Sequence, residues 1–106
     1  MMEGALVENG YHVLARIVAQ PECDEELAAA LLQLANHSLG TEHCERFEVT
    51  QQLNRPGVFW LIESFPSPVA YERHVEMAHT QRFLDETLPT LIAERCTLVL
   101  RDHDRT

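Results

Sequence analysis

The stretch Phe59-Trp60-Leu61-Ile62-Glu63-Ser64-Phe65-Pro66-Ser67-Pro68-Val69-Ala70-Tyr71-Glu72-Arg73-His74 decides how this chain folds. Val58 to Phe65 reads as a strand that is apolar on both faces. Phe59, Leu61 and Phe65 share one face with Glu63, while Val58, Trp60 and Ile62 share the other. A strand of that kind must be covered on both sides. Pro66-Ser67-Pro68 then turns the chain, with Ser67 placed as a helix N-cap and Pro68 at the first helical position. The helix is expected to run to about Met77 and brings Tyr71, His74 and His79 close together in sequence.

Upstream, Asn54-Arg55-Pro56-Gly57 is strong turn chemistry, so the segment before it should return as the other arm of a hairpin. Cys44 to Leu53 alternates accordingly, with Phe47, Val49 and Leu53 on one side and Arg46, Glu48, Thr50 and Gln52 on the other. Earlier still, Asp24 reads as a helix N-cap with Glu25 and Glu26 in the first turn. Leu27, Leu31 and Leu34 recur at helical spacing, and Gly40 is the expected stop. Tyr11 to Ala19 alternates as a strand, with Val13, Ala15 and Ile17 on one face, and Pro21 ends it.

Downstream, Thr80 is the expected cap of a second helical segment carrying Phe83, Leu84 and Leu88. Pro89 should kink it or start a fresh helical turn. Leu91 and Ile92 continue the apolar face, and Cys96 to Asp102 forms a last strand. The order is β-α-β-β-α-β, the ferredoxin-like α+β plan with an antiparallel four-stranded sheet and helices on one face. Residues 1–10 read as a loose polar leader, 11–102 as the domain and 103–106 as a polar tail.

One domain is what 106 residues allow. The net charge of −9 repels phosphate backbones, and no basic stripe offsets it, so nucleic acid is excluded as a partner. Met1-Met2-Glu3-Gly4 lacks the basic and apolar regions of a signal peptide, and no run reaches the ~18 apolar residues of a membrane span. Three widely spaced cysteines, Cys23, Cys44 and Cys96, read as free thiols in a reducing cytoplasm.

Helices on one face leave the second sheet face bare, although the third strand is apolar there. At ~25 cal/mol per Å2, wetting an apolar face on the order of several hundred Å2 is expensive. A second copy packing sheet on sheet solves this, so a homodimer through the sheet face is expected.

Several of these segments also resemble one known family in their order and spacing. Leu14-Ala15-Arg16-Ile17, Cys44-Glu45-Arg46-Phe47-Glu48, Phe59 to Phe65, Ala70 to His74, and Ala78-His79 followed by Phe83-Leu84 are similar to the pattern of the antibiotic biosynthesis monooxygenase (ABM) family. The resemblance covers about residues 11–102. It implies a dimeric α/β barrel with a pocket between sheet and helices in each subunit. Members include cofactor-free oxygenases of phenols and quinols, haem-degrading enzymes and small-molecule isomerases.

Departures narrow the choice. The Asn, Trp, Tyr and Arg of the anthrone-type oxygenases fall here on Leu61, Phe65, Tyr71 and Asp85, so only the Tyr is kept. The haem-degrading set falls near Ala15, His74 and Leu84, which excludes haem breakdown. The resemblance favours a cofactor-independent monooxygenase of a small hydroxylated aromatic or quinol. The alternatives are a small-metabolite isomerase or a non-catalytic ligand-binding dimer.

His74 is the base candidate because imidazole titrates near neutrality, with Tyr71 one helical turn earlier and Glu63 as orienters. A structural role for His74 at the sheet edge is the alternative. Glu63, on an apolar face, needs a partner, and Arg16 or His74 is the expected one. Phe59, Leu61, Phe65, Met77 and Phe83 are candidate apolar walls around the substrate. His79 is either a further wall or the lock of the helix junction. No metal site is expected, because the five-residue spacing of His74 and His79 misses the i,i+4 face of a helical ligand pair. Trp60 is the candidate anchor of the dimer face.

Overall fold

The computed structural model describes residues 10–103. Four strands form one sheet: β1 (Tyr11–Ala19), β2 (Arg46–Gln51), β3 (Val58–Phe65) and β4 (Ile92–Arg101). Their order is β2-β3-β1-β4, with every neighbouring pair antiparallel. The helices are α1 (Asp24–Leu39), α2 (Pro68–Glu76), α3 (Ala78–Arg82) and α4 (Leu88–Leu91), with a π-helical turn, Phe83–Thr87, between α3 and α4. This is the ferredoxin-like α+β plan, and the sheet of a single chain is open.

Alternation sets the layers. Val13, Ala15 and Ile17 of β1 and Phe59, Leu61 and Phe65 of β3 are buried against Leu27, Leu31 and Leu34 of α1. The opposite sheet face carries Leu14, Trp60, Ile62, Leu98 and Leu100, all at least partly exposed. α2 starts where the sequence requires, since the Ser67 hydroxyl accepts the Ala70 N–H at 3.1 Å and Pro68 follows it.

Three expectations change, while the fresh helical turn at Pro89 is α4. Asp24 is the first residue of α1 rather than its cap, which is Cys23 with no side-chain hydrogen bond. Thr80 lies inside α3, whose N-cap is the extended Met77, again with no side-chain cap. The irregularity before Pro89 is the π turn, which widens the helix where the proline ring would otherwise meet the carbonyl one turn back. β4 starts at Ile92, four residues earlier than its apolar centre suggests, because backbone pairing with β1 carries it. Gln20 N–H also donates to the Leu91 carbonyl at 2.8 Å and fixes that junction.

The leader and most of the tail lie outside the described residues. Gly10, their one exception on the leader side, is buried and accepts the Asp102 N–H at 3.3 Å. A Cβ at this glycine would collide with the Asp102 side chain, so the close approach requires Gly. Among the described residues, no helix is long and apolar enough to cross a membrane.

Candidate functional site

The inner sheet face and the helical layer do not close completely. Between them lies a cavity of about 290 Å3. Every layer contributes to its wall: Ala15 from β1, Phe47 from β2, Leu61 and Glu63 from β3, Leu34 from α1, and Tyr71 and His74 from α2. Thr80 of α3, Phe83 and Leu84 of the π turn, and Arg95 and Thr97 of β4 complete it.

Glu63 reaches this wall because the two-residue period of β3 points it inward, opposite Val13 and Phe47. It is only 7% exposed, and burial pushes its carboxyl from the ordinary 4.5 up to about 7. His74 arrives from α2 and is 3% exposed. Its Nε2 stands 3.9 Å from Glu63 Oε1, too far for a direct hydrogen bond. Burial, then the positive fields of His79 and His43, lower its pKa to about 4.

The two shifts run in opposite directions. Near neutrality, the group better able to exchange a proton is the carboxyl, and the imidazole beside it is neutral. His74 Nδ1 and Thr80 Oγ1 are both buried without a hydrogen-bond partner among the described residues. An orphaned polar atom costs about 1–3 kcal/mol, so these two leave hydrogen-bonding capacity unused at the wall.

Aromatic packing holds the imidazole. Phe65 lies against it with centroids 5.1 Å apart, and Phe47 at 6.1 Å. Tyr71 packs edge-to-face on Phe65 at 5.1 Å and touches Tyr11 at 5.4 Å. Its phenol is half-buried. Burial, then Glu63 and Tyr11, raise its pKa, while Arg95 pulls the other way.

The residues singled out from the sequence separate into three groups. Glu63, Tyr71, His74, Leu61 and Phe83 meet at the cavity. Phe59 and Phe65 are 1% and 0% exposed and stand behind the wall in the packed core, where Phe65 supports the His74 ring. Met77 and His79 lie off this wall. Met77 forms the break between α2 and α3, and its carbonyl accepts the Gln81 N–H at 2.9 Å.

His79 faces α1. Its Nε2 is 3.3 Å from Ser38 Oγ, and its ring meets His37 edge-on at 5.4 Å. Burial, His37 and Arg82 lower its pKa. Arg16 is not the partner of Glu63: it projects from the opposite sheet face and pairs with Glu94 at 3.5 Å.

Three polar wall residues escaped the sequence reading. Thr80 was expected as a cap. Arg95 precedes Cys96, where the last strand was expected to begin, and Thr97 lies inside that strand but before its apolar centre Leu98-Val99-Leu100. Their inward alternation becomes visible once β4 is extended back to Ile92. Among the described residues, no group of three or more His, Cys, Asp or Glu side chains is placed to hold a metal ion. The three cysteines are free thiols.

The fold recurs in solved structures. A Shewanella oneidensis protein superposes with a TM-score of 0.85 at 19% identity, covering 90% of this chain and 92% of that one. A Pseudomonas aeruginosa protein does so with 0.85 at 23% identity, over 92% and 98%. A Nitrosomonas europaea protein, described as a candidate antibiotic biosynthesis monooxygenase, gives 0.83 at 18% identity, over 93% and 95%. At these identities the likeness establishes the fold alone. A search of curated proteins finds no match. The family profile for antibiotic biosynthesis monooxygenases matches residues 10–86, a span that begins just before β1 and takes in Glu63, Tyr71, His74 and Thr80, and the chain belongs to that family.

Proposed function

We propose that this protein is a cofactor-independent monooxygenase of a small hydroxylated aromatic or quinol, working as a homodimer in the cytoplasm. The observation that carries this reading is the pair Glu63 and His74, buried 3.9 Å apart in the wall of a largely apolar cavity. A substrate hydroxyl placed in that gap bridges the two groups.

The pair then acts as one base. The Glu63 carboxylate accepts the phenolic proton, and the neutral imidazole and Tyr71 hold the oxygen in place. The resulting aryl anion gives an electron to O2, and the radical pair joins to form a C–O bond at a ring carbon that bears a hydrogen. Cleavage of the O–O bond with loss of the remaining hydrogen yields a carbonyl and one water, which accounts for both oxygen atoms. Leu61, Phe47, Phe83 and Leu84 keep water from the charged intermediates.

Oxygen uptake with a panel of hydroxyanthrones and quinols tests the reading. Uptake that depends on substrate and falls at least a hundredfold in Glu63→Gln supports it. No uptake across the panel, or uptake indifferent to both Glu63→Gln and His74→Ala, removes it.

The same pair suits proton movement between two carbons, which favours a small-metabolite isomerase as the second reading. Deuterium entering a carbonyl substrate from solvent under nitrogen would separate the two. Binding without either reaction would leave a ligand-binding dimer.

A further inference from the structure

We infer that the cavity takes a one- or two-ring hydroxyaromatic that carries a carboxylate at the end opposite its hydroxyl. The role of the hydroxyl rests on the reading above; the carboxylate is read from a different part of the wall. About 290 Å3 is roughly twice an apolar cavity of ~150 Å3 that accepts benzene, which sets the one- to two-ring size.

Glu63 and Arg95 mark two ends of the wall, with Tyr71 within electrostatic reach of both. At one, Glu63 lies at the register of Val13 and Val99. At the other, Arg95 lies at the register of Ile17, two strands away and four residues along β4. Four strand residues span about 13 Å and two strand spacings about 10 Å, so the two side chains approach the cavity from opposite corners. The space between them matches a hydroxyl and a carboxylate on opposite ends of a fused pair of rings.

Arg95 is available to such a group. Its neighbour Glu94 points to the other sheet face and is taken by Arg16 at 3.5 Å. Among the described residues Arg95 has no ion-pair partner, in a chain with 17 acidic residues against 8 Lys and Arg. It is exposed and so marks the open end of the cavity, beside Thr97. Glu63 is the one carboxylate in the wall, at the far corner. The guanidinium forms paired hydrogen bonds with a planar carboxylate. Thr80 Oγ1 and His74 Nδ1, buried and unpartnered, supply hydrogen-bonding groups for the hydroxyl end.

Titration calorimetry under nitrogen, on the full chain at low salt, tests this with three probes: 6-hydroxy-2-naphthoate, 2-naphthol and 2-naphthoate. The hydroxynaphthoate should bind about fivefold tighter than 2-naphthol, a gain typical of a partly exposed ion pair. The gap should narrow as salt rises. Arg95→Gln, at an exposed site, should erase the gap, and Thr80→Val should weaken the two hydroxyl-bearing probes more than 2-naphthoate.

Equal or tighter binding of 2-naphthol, a gap that survives Arg95→Gln, or no binding of any probe overturns the inference. An oxygen electrode with the same probes separates the two claims. Selective binding with no oxygen uptake from these probes or from the hydroxyanthrone and quinol panel keeps the ligand class and removes the oxygenase reading. Oxygen uptake with no preference for the carboxylate does the reverse.

Discussion

Glu63 Oε1 and His74 Nε2 stand 3.9 Å apart in a space from which water is largely excluded. Desolvation disfavours the charged form of each, so it raises the acid and lowers the base. The carboxyl moves from 4.5 to about 7 and the imidazole from 6.5 to about 4. A separated ion pair, in which each charge stabilises the other, would show the opposite order. Burial therefore outweighs mutual attraction here, and the neutral pair is the resting form between about pH 4 and 7.

The pair has a signature in stability against pH. Between 4.5 and 7 the folded Glu63 holds a proton that the unfolded chain has released, so its contribution falls as pH rises. Between 4 and 6.5 the folded His74 lacks a proton that the unfolded chain holds, so its contribution grows as pH rises. Each changes by about 1.4 kcal/mol per pH unit inside its window, with opposite sign. They cancel from about 4.5 to 6.5. Relative to wild type, Glu63→Gln should gain stability with rising pH across that range, and His74→Gln should lose it. Urea melts at half-unit pH intervals measure both slopes, and parallel profiles for the two variants would contradict the assignment.

Turnover should follow the same carboxyl. If Glu63 accepts the substrate proton, oxygen uptake in wild type rises with pH through a midpoint near 7, as the carboxylate form accumulates. His74→Ala opens the site to water and should return that midpoint toward the ordinary carboxylate range. A midpoint near 4 in wild type would instead identify the imidazole as the group that must be deprotonated.

Much of this was legible in the sequence, for local reasons. The two-residue period of Tyr11–Ala19 and Val58–Phe65 fixes two strands and places Glu63 inward, and both strands have the predicted bounds. Ser67-Pro68 fixes the start of α2 and hence the turn on which Tyr71 and His74 sit. What was not legible depends on contacts distant in sequence. β4 includes Ala93-Glu94-Arg95-Cys96, an exposed edge with no apolar alternation, and only its ladder with β1 shows that Arg95 and Thr97 face the cavity. α3 begins at a backbone break at Met77 rather than at a side-chain cap, so Thr80 looked like the cap it is not. Burial is the main cause that inverts the expected order of Glu63 and His74, and burial is a property of the assembled layers.

The Ser67 cap should matter to the site as well as to the helix. Its hydroxyl satisfies the Ala70 N–H at 3.1 Å, at the start of the helix that presents Tyr71 and His74. Ser67→Ala should cost about 1 kcal/mol of stability, readable as a lower midpoint in denaturant at unchanged slope. Ser67→Asp, which keeps an acceptor at the cap, should recover most of it. Equal losses in both would show that the cap bond does not hold this end of α2.

The face opposite the cavity decides whether the chain works alone. Leu98 and Leu100 are 51% and 46% exposed, and they share that face with Leu14, Ile62 and Trp60, whose indole donates to Gln52 at 3.1 Å. α1 and α2 pack on the other face, so helices of the same chain leave this one uncovered. A second sheet laid against it buries these side chains without disturbing Glu63 or His74, which project the other way. The expected state is a dimer in sedimentation at low micromolar concentration. Leu98→Glu would place a carboxylate in a sheet-to-sheet contact, where burying it unpaired costs several kcal/mol and shifts the protein to monomer. If wild type sediments as a monomer, or if Leu98→Glu leaves a dimer intact, this face is not the interface.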